Sequence, residues 1–109
     1  MDDVVFVRLT QYKVAMIDAI DATKILPHKW HVHKSSYKYY ACRKVGSRGK
    51  QKRIFMHHVI SQPDEGQETH HIDGNSLNNR NNNLLNCTRR ENLQYQQRGK
   101  SYADSSVGR

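Results

Sequence analysis

Two adjacent histidines, His70 and His71, precede an Asp73-Gly74-Asn75 segment, and asparagines follow at set intervals: Asn83 twelve positions after His71, Asn92 nine further on. An imidazole with an unperturbed pKa of about 6.5 can take a proton from water near neutrality, or offer a ring nitrogen to a cation. A side-chain amide can offer that cation a carbonyl oxygen. Hydrolysis of a phosphodiester requires an activated water, a cation on the departing and non-bridging oxygens, and alignment. The residue types in this segment can supply all three.

Local elements must bring these groups together. Glu68 to His71 reads as a strand that enters a turn at Asp73-Gly74-Asn75, where each residue type tolerates or favours turn geometry. An asparagine-rich loop follows, and Leu84 to Cys87 returns as a second short strand. Thr88 opens a helix, with Glu91 three residues later completing a capping box. Asn92 then sits in the first helical turn, its carbonyl directed back toward the end of the first strand. Neighbouring residues of a regular strand face opposite ways, so His70 and His71 serve one site only if the strand twists or ends there, which Asp73-Gly74 permits. Asn75, Asn78, Asn79, Asn81, Asn82 and Asn86 read as turn formers that bond their own backbone.

The run His70-His71-Ile72-Asp73-Gly74-Asn75, Asn83-Leu84 and Glu91-Asn92-Leu93 resembles the HNH family of nucleic-acid endonucleases. That resemblance implies a ββα unit holding one divalent metal. It implies His71 as the general base, His70 and Asn92 as metal ligands, and Asn83 as the motif asparagine of the catalytic set, bonding backbone across the loop to hold the histidine. Many members carry Asp in place of His70 and His in place of Asn92. The resemblance implies Mg²⁺ or Mn²⁺ as the cofactor; a neutral first ligand holds a hard ion such as Mg²⁺ less firmly than a carboxylate does, which leaves the softer Zn²⁺ and Ni²⁺ as open alternatives.

Upstream, Val4 to Leu9 and Val14 to Ile17 suggest a β-hairpin, and Ala19 to Leu26 a short helix ended by Pro27. Strands are expected at Trp30 to His33, Tyr37 to Val45 and Lys52 to Met56, forming one small antiparallel sheet, with a short helix over Phe55 to Ile60. Ala15-Met16-Ile17-Asp18, Trp30 and Met56-His57-His58-Val59-Ile60 are similar to HNH proteins of the phage and mobile-element, homing type, which extends the resemblance over about residues 12 to 97. His58 stands where relatives often carry Arg, a phosphate-contacting residue. The expected fold class is α+β: residues 1–66 a basic β-rich DNA-binding segment, 67–98 the ββα-metal (HNH) catalytic unit, and 99–109 a flexible tail.

Charge agrees with a nucleic-acid partner. The chain of 109 residues carries a formal net charge of +8, and no Asp or Glu occurs between Asp21 and Asp64, an interval with ten Lys and Arg. Such a segment attracts phosphate. Lys38, Arg43, Lys50 and Arg53 are the expected DNA contacts there, with Arg80, Arg89 and Arg90 around the catalytic unit. A β-ribbon can enter a major groove, with Tyr37, Tyr39 and Tyr40 available for stacking or for burial against Trp30 or Ile54. Cys42 and Cys87 form no zinc-ribbon or redox motif, and a disulfide is not needed. No apolar run reaches the roughly 18 residues of a membrane span and no secretory signal opens the chain. The expectation is therefore a cytoplasmic protein of a bacterial or phage-infected cell, monomeric or weakly dimeric. The sequence reads as a metal-dependent endonuclease that nicks DNA and leaves 3′-hydroxyl and 5′-phosphate ends. Its rivals are a non-catalytic DNA-binding module with a structural metal and an RNA-directed nuclease or toxin.

Overall fold

Alternating apolar residues pair the first two strands, β1 (Val4–Arg8) and β2 (Val14–Asp18), in an antiparallel hairpin with Val7 opposite Ala15 and Val5 opposite Ile17. Its turn carries Gln11 and Tyr12, both at positive φ (57° and 59°). That backbone follows the right-handed twist of the two strands and closes the hairpin with a two-residue link. The computed structural model describes residues 3–95. Expectations for the tail at 99–109 lie outside the described residues.

After the hairpin, a 3₁₀ turn (Ala19–Asp21) runs into α1 (Ala22–Ile25), and the chain reaches β3 (His31–Ser35), β4 (Lys38–Val45) and β5 (Lys52–Phe55). These form a three-stranded antiparallel sheet in the order β3-β4-β5, separate from the β1-β2 pair. The hairpin and the three-stranded sheet expected from sequence are thus both present, as two separate sheets. The reason is that β2 turns its free edge elsewhere: Met16 N donates to Leu77 O at 2.9 Å and Asn79 N donates to Met16 O at 2.8 Å. Tyr37 lies in the turn between β3 and β4 rather than in the strand and is exposed.

Helix α2 (Met56–Ser61) follows β5 directly. Then come β6 (Gln67–His71), a loop, a 3₁₀ turn (Asn81–Asn83) and β7 (Leu84–Thr88), with β6 and β7 antiparallel and His71 opposite Leu84. A last helix, α3, occupies 89–95 of the described residues. Its start is fixed by a reciprocal cap, in which Glu91 N donates to Thr88 Oγ1 at 3.1 Å and Thr88 N donates to Glu91 Oε1 at 2.9 Å.

One core joins these parts. Val7, Leu9, Ala15, Ile17, Ile25, Trp30, Ala41, Met56 and Ile60 are buried together, with Leu77 and Leu84 packed against them. Trp30 Nε1 donates to Ile25 O at 2.8 Å, which ties α1 to the sheet. Cys42 and Cys87 are both buried and free. Among the described residues no helix is long and apolar enough to cross a membrane.

Candidate metal and general-base site

Strand β6 runs regularly through His71, so its two histidines leave on opposite sides. His70 stacks on Tyr95 of α3, ring centroids 5.5 Å apart. His71 packs instead against His57 at 5.0 Å and Tyr40 at 6.3 Å. The strand therefore neither twists nor ends early enough to bring both rings onto one face.

His71 is buried, and its Nε2 lies 2.8 Å from Asn79 Oδ1. An amide oxygen can only accept, so this bond puts the ring proton on Nε2 and leaves the Nδ1 lone pair free. Burial pushes the His71 pKa below its ordinary value, and Lys38 and His70 push the same way, against the Asn79 bond and the Asp73 charge. The ring is neutral at neutral pH and able to accept a proton. Neighbouring His57 is pushed down to about 3, first by burial and then by His58 and His71.

Asn79 is wholly buried. Sequence reasoning placed it among the turn formers; no spacing rule marks it, because its partner on the main chain is Met16 in the remote hairpin. The Asn83 side chain hydrogen-bonds elsewhere than to the His71 ring. It braces the turn that follows: Asp73 N donates to Asn83 Oδ1 at 2.9 Å, while Asn83 Nδ2 donates to Asn78 O at 2.9 Å and Asp73 Oδ1 at 2.8 Å. Gly74 completes that turn at φ +80°, a conformation side-chain-bearing residues rarely adopt. Asn75 and Asn78 act as expected, their amide oxygens bonding Leu77 N and Arg80 N.

On the α3 side of β6, the register sets the helix start beside the start of the strand, with Gln67 opposite Thr88. Asn92 consequently points at Glu68, near the beginning of β6 rather than its end, and its Nδ2 donates to Glu68 Oε1 at 2.8 Å. Its Oδ1 is buried and has no partner. Glu68 and His70 are two apart and share the strand face that meets α3, and Asn92 and Tyr95 are three apart on one side of the helix. An orphaned amide oxygen beside a carboxylate and on the side of an imidazole suits a divalent cation. Among the described residues no three His, Cys, Asp or Glu side chains gather at metal-holding distance, so such an ion would rest on His70, Glu68 and the Asn92 amide with water completing its shell. Glu68 was not singled out from sequence, since a carboxylate at the head of a strand carries no distinguishing pattern.

Residues 48–94 match a family model described as HNH endonuclease. Over that stretch the chain is similar to HNH endonucleases. No curated protein matches the chain, and no solved structure does. The HNH match points to a nuclease or DNA-binding function and to DNA as the partner.

The basic residues around the HNH segment divide by what they already hold. Arg80 is engaged through Nε, which donates to Asp18 Oδ1 at 2.8 Å, and Asn81 adds two bonds to Asp18 Oδ2. Burial raises the Asp18 pKa, but these bonds and the Arg80 charge more than offset it, and the carboxyl ends below its ordinary value. Arg89 donates to Glu68 Oε2 at 3.1 Å from an exposed position. Arg90 is exposed. Arg43 reaches over the Trp30 ring at 5.6 Å, whereas Lys38, Lys50 and Arg53 are exposed. Tyr40 packs edge-on against Phe55 at 5.9 Å instead of against Trp30 or Ile54.

Proposed function

We propose that this chain is a metal-dependent endonuclease that hydrolyses DNA phosphodiester bonds. The observation that carries the reading is the buried Asn92 Oδ1 without a donor, placed beside Glu68 in a segment matched to HNH endonucleases. His71, neutral and with Nε2 held by Asn79, takes a proton from the attacking water on Nδ1. His70, Glu68 and Asn92 would hold the divalent ion, Mg²⁺ or Mn²⁺ first. A bound ion there supplies charge stabilisation for the departing 3′ oxygen. Asn83 keeps the turn behind His71 in place. Cleavage leaves 3′-hydroxyl and 5′-phosphate ends, and one site per chain acts on one strand, so a single chain nicks.

Labour divides near residue 66: the basic part before it seats DNA, and residues 67–98 carry the chemistry. The phage or mobile-element subtype draws support from the positions of its upstream residues. Asp18 braces Arg80 and Asn81, Trp30 fills the core, and His57 packs on His71.

A second reading, a DNA-binding module without catalysis, is favoured by one observation: His70 and His71 sit on opposite sides of β6. Incubation of supercoiled plasmid with Mg²⁺ or Mn²⁺, with and without EDTA, decides between them. The nuclease reading expects nicked circles that EDTA abolishes, and a loss of about 10² to 10⁴ in rate for His71→Ala with DNA affinity retained. Tight binding with no nicking under any metal supports the binding module. Cleavage by His71→Ala within threefold or so of the parent removes His71 from the mechanism.

A further inference from the structure

The three-stranded sheet has two faces of unlike character. Directly paired residues share a face, and the register sends Val32, Lys34, Tyr39, Ala41 and Ile54 to one side and His31, His33, Tyr40, Lys44, Arg53 and Phe55 to the other. The first side is covered by the β1-β2 hairpin: Ala41 is in the core with Val32 against it, Lys13 lies over the Tyr39 ring at 4.3 Å, and Thr10 Oγ1 accepts from Val32 N at 2.9 Å.

The second side is packed by His57 of α2 and His71 of β6 at Tyr40 and Phe55, is open around them, and carries two grooves. One, of about 680 Å³, is lined by residues that include Lys29, His31, His33, Lys44 and Arg53, with no Asp or Glu among the described residues. The other, of about 660 Å³, starts from His33 and Tyr40 and ends at His58, Arg89, Glu68 and Asn92. His33 belongs to both, so a single track leads from the basic outer edge of the sheet to the orphaned Asn92 oxygen. The one acid on it among the described residues, Glu68, is paired with Arg89.

We infer that this open face seats one phosphate backbone of duplex DNA and leads it past Arg53, Lys44, His31 and His33 toward Asn92. The choice of polymer rests on the nuclease reading; the track itself does not. Three strands about 4.8 Å apart, with side chains added, are too broad for a major groove about 12 Å wide that admits a two-stranded ribbon. The sheet therefore lies against the backbone instead of entering the groove. Tyr40 and Phe55 pack on each other and Phe55 lies 5.3 Å from His57, so these rings are not free to stack on bases. Contacts of this kind position a duplex and read no sequence.

Two exposed, charge-matched pairs separate the faces. Lys44 and Arg53 are cross-strand partners on the open side, whereas Lys34 and Lys52 lie on the covered side, opposite Tyr39 and Val45. Anisotropy of a labelled duplex of arbitrary sequence is measured in EDTA over a salt series, with circular dichroism checking each fold. Lys44→Ala/Arg53→Ala should flatten the slope of log affinity against log salt by about 0.9 per lost contact, close to two such steps, alike for unrelated sequences. Lys34→Ala/Lys52→Ala should leave it unchanged. Equal changes in the two variants, a larger change in the second, or no duplex binding by the parent overturns the inference. Binding with the expected slopes but no cleavage removes the nuclease reading and leaves the track; cleavage with equal slopes removes the track alone.

Discussion

The Asn79 amide oxygen stands 2.8 Å from His71 Nε2 inside the fold, and Asn79 is itself anchored to Met16 O by its backbone N–H. The N-terminal hairpin thereby fixes which nitrogen of the His71 ring carries the proton. A buried Asn79 Nδ2 without a partner marks the cost of that arrangement, since an unpaired buried donor is destabilising by about 1–3 kcal/mol.

Asn79→Ala should free the imidazole to take either tautomer. Turnover is expected to drop roughly 10- to 100-fold, the range for residues that orient a reacting group from behind it, while KM for DNA stays near the parent value. Nitrogen chemical shifts of the His71 ring supply the second readout, moving from the Nε2-protonated pattern toward a mixture. Unaltered shifts together with unaltered turnover would show that Asn79 only fills space.

Metal affinity should depend on three residues from two elements. His70→Ala and Asn92→Ala should each raise the Mn²⁺ concentration needed, read by calorimetric titration without DNA. Glu68→Gln should weaken binding by roughly 10- to 100-fold, whether the carboxylate holds the ion or orients the Asn92 amide. His70→Asp should keep binding and shift preference toward Mg²⁺, because a charged oxygen ligand suits the harder ion. Titrations of Asn92→Ala and Glu68→Gln that overlay the parent would displace the ion from this side of β6.

Stability should fall in acid through His57. Its folded pKa, about 3, lies below the ordinary 6.5, so the unfolded chain binds the extra proton first. The neutral buried ring thus contributes stability that is fully present above about pH 6.5 and is lost as pH falls toward the folded value, with a slope near 1.4 kcal/mol per pH unit. Urea unfolding of the parent between about pH 4 and 7 should show this slope. His57→Leu, which cannot be protonated and has no Nδ1 to leave unpaired, should flatten it. An equal slope in His57→Leu would assign the acid sensitivity to other groups.

The sequence by itself determined the parts whose geometry is settled within a few residues. The hairpin at β1 and β2, the turn at Asp73-Gly74, the strands on either side of the asparagine-rich loop and the Thr88-Glu91 cap were all legible, because period-two burial, turn chemistry and capping act over short separations. The histidine and asparagine spacing was legible for the same reason. Tertiary structure decided which faces meet. Asp18 and Arg80 pair across 62 positions, and Ser76 bonds the Tyr39 carbonyl across 37; no local pattern encodes such a pairing. Arg43 and Arg53 look alike in a basic run, yet the pleat and the hairpin packed on Ala41 turn one inward over Trp30 and leave the other on the open face. Asn79 differs from its neighbouring asparagines only because β2 takes the loop as its edge partner and buries that one amide against His71. Strand spacing specifies a side chain's direction relative to its own backbone, while burial of the shared core selects the surface it finally touches.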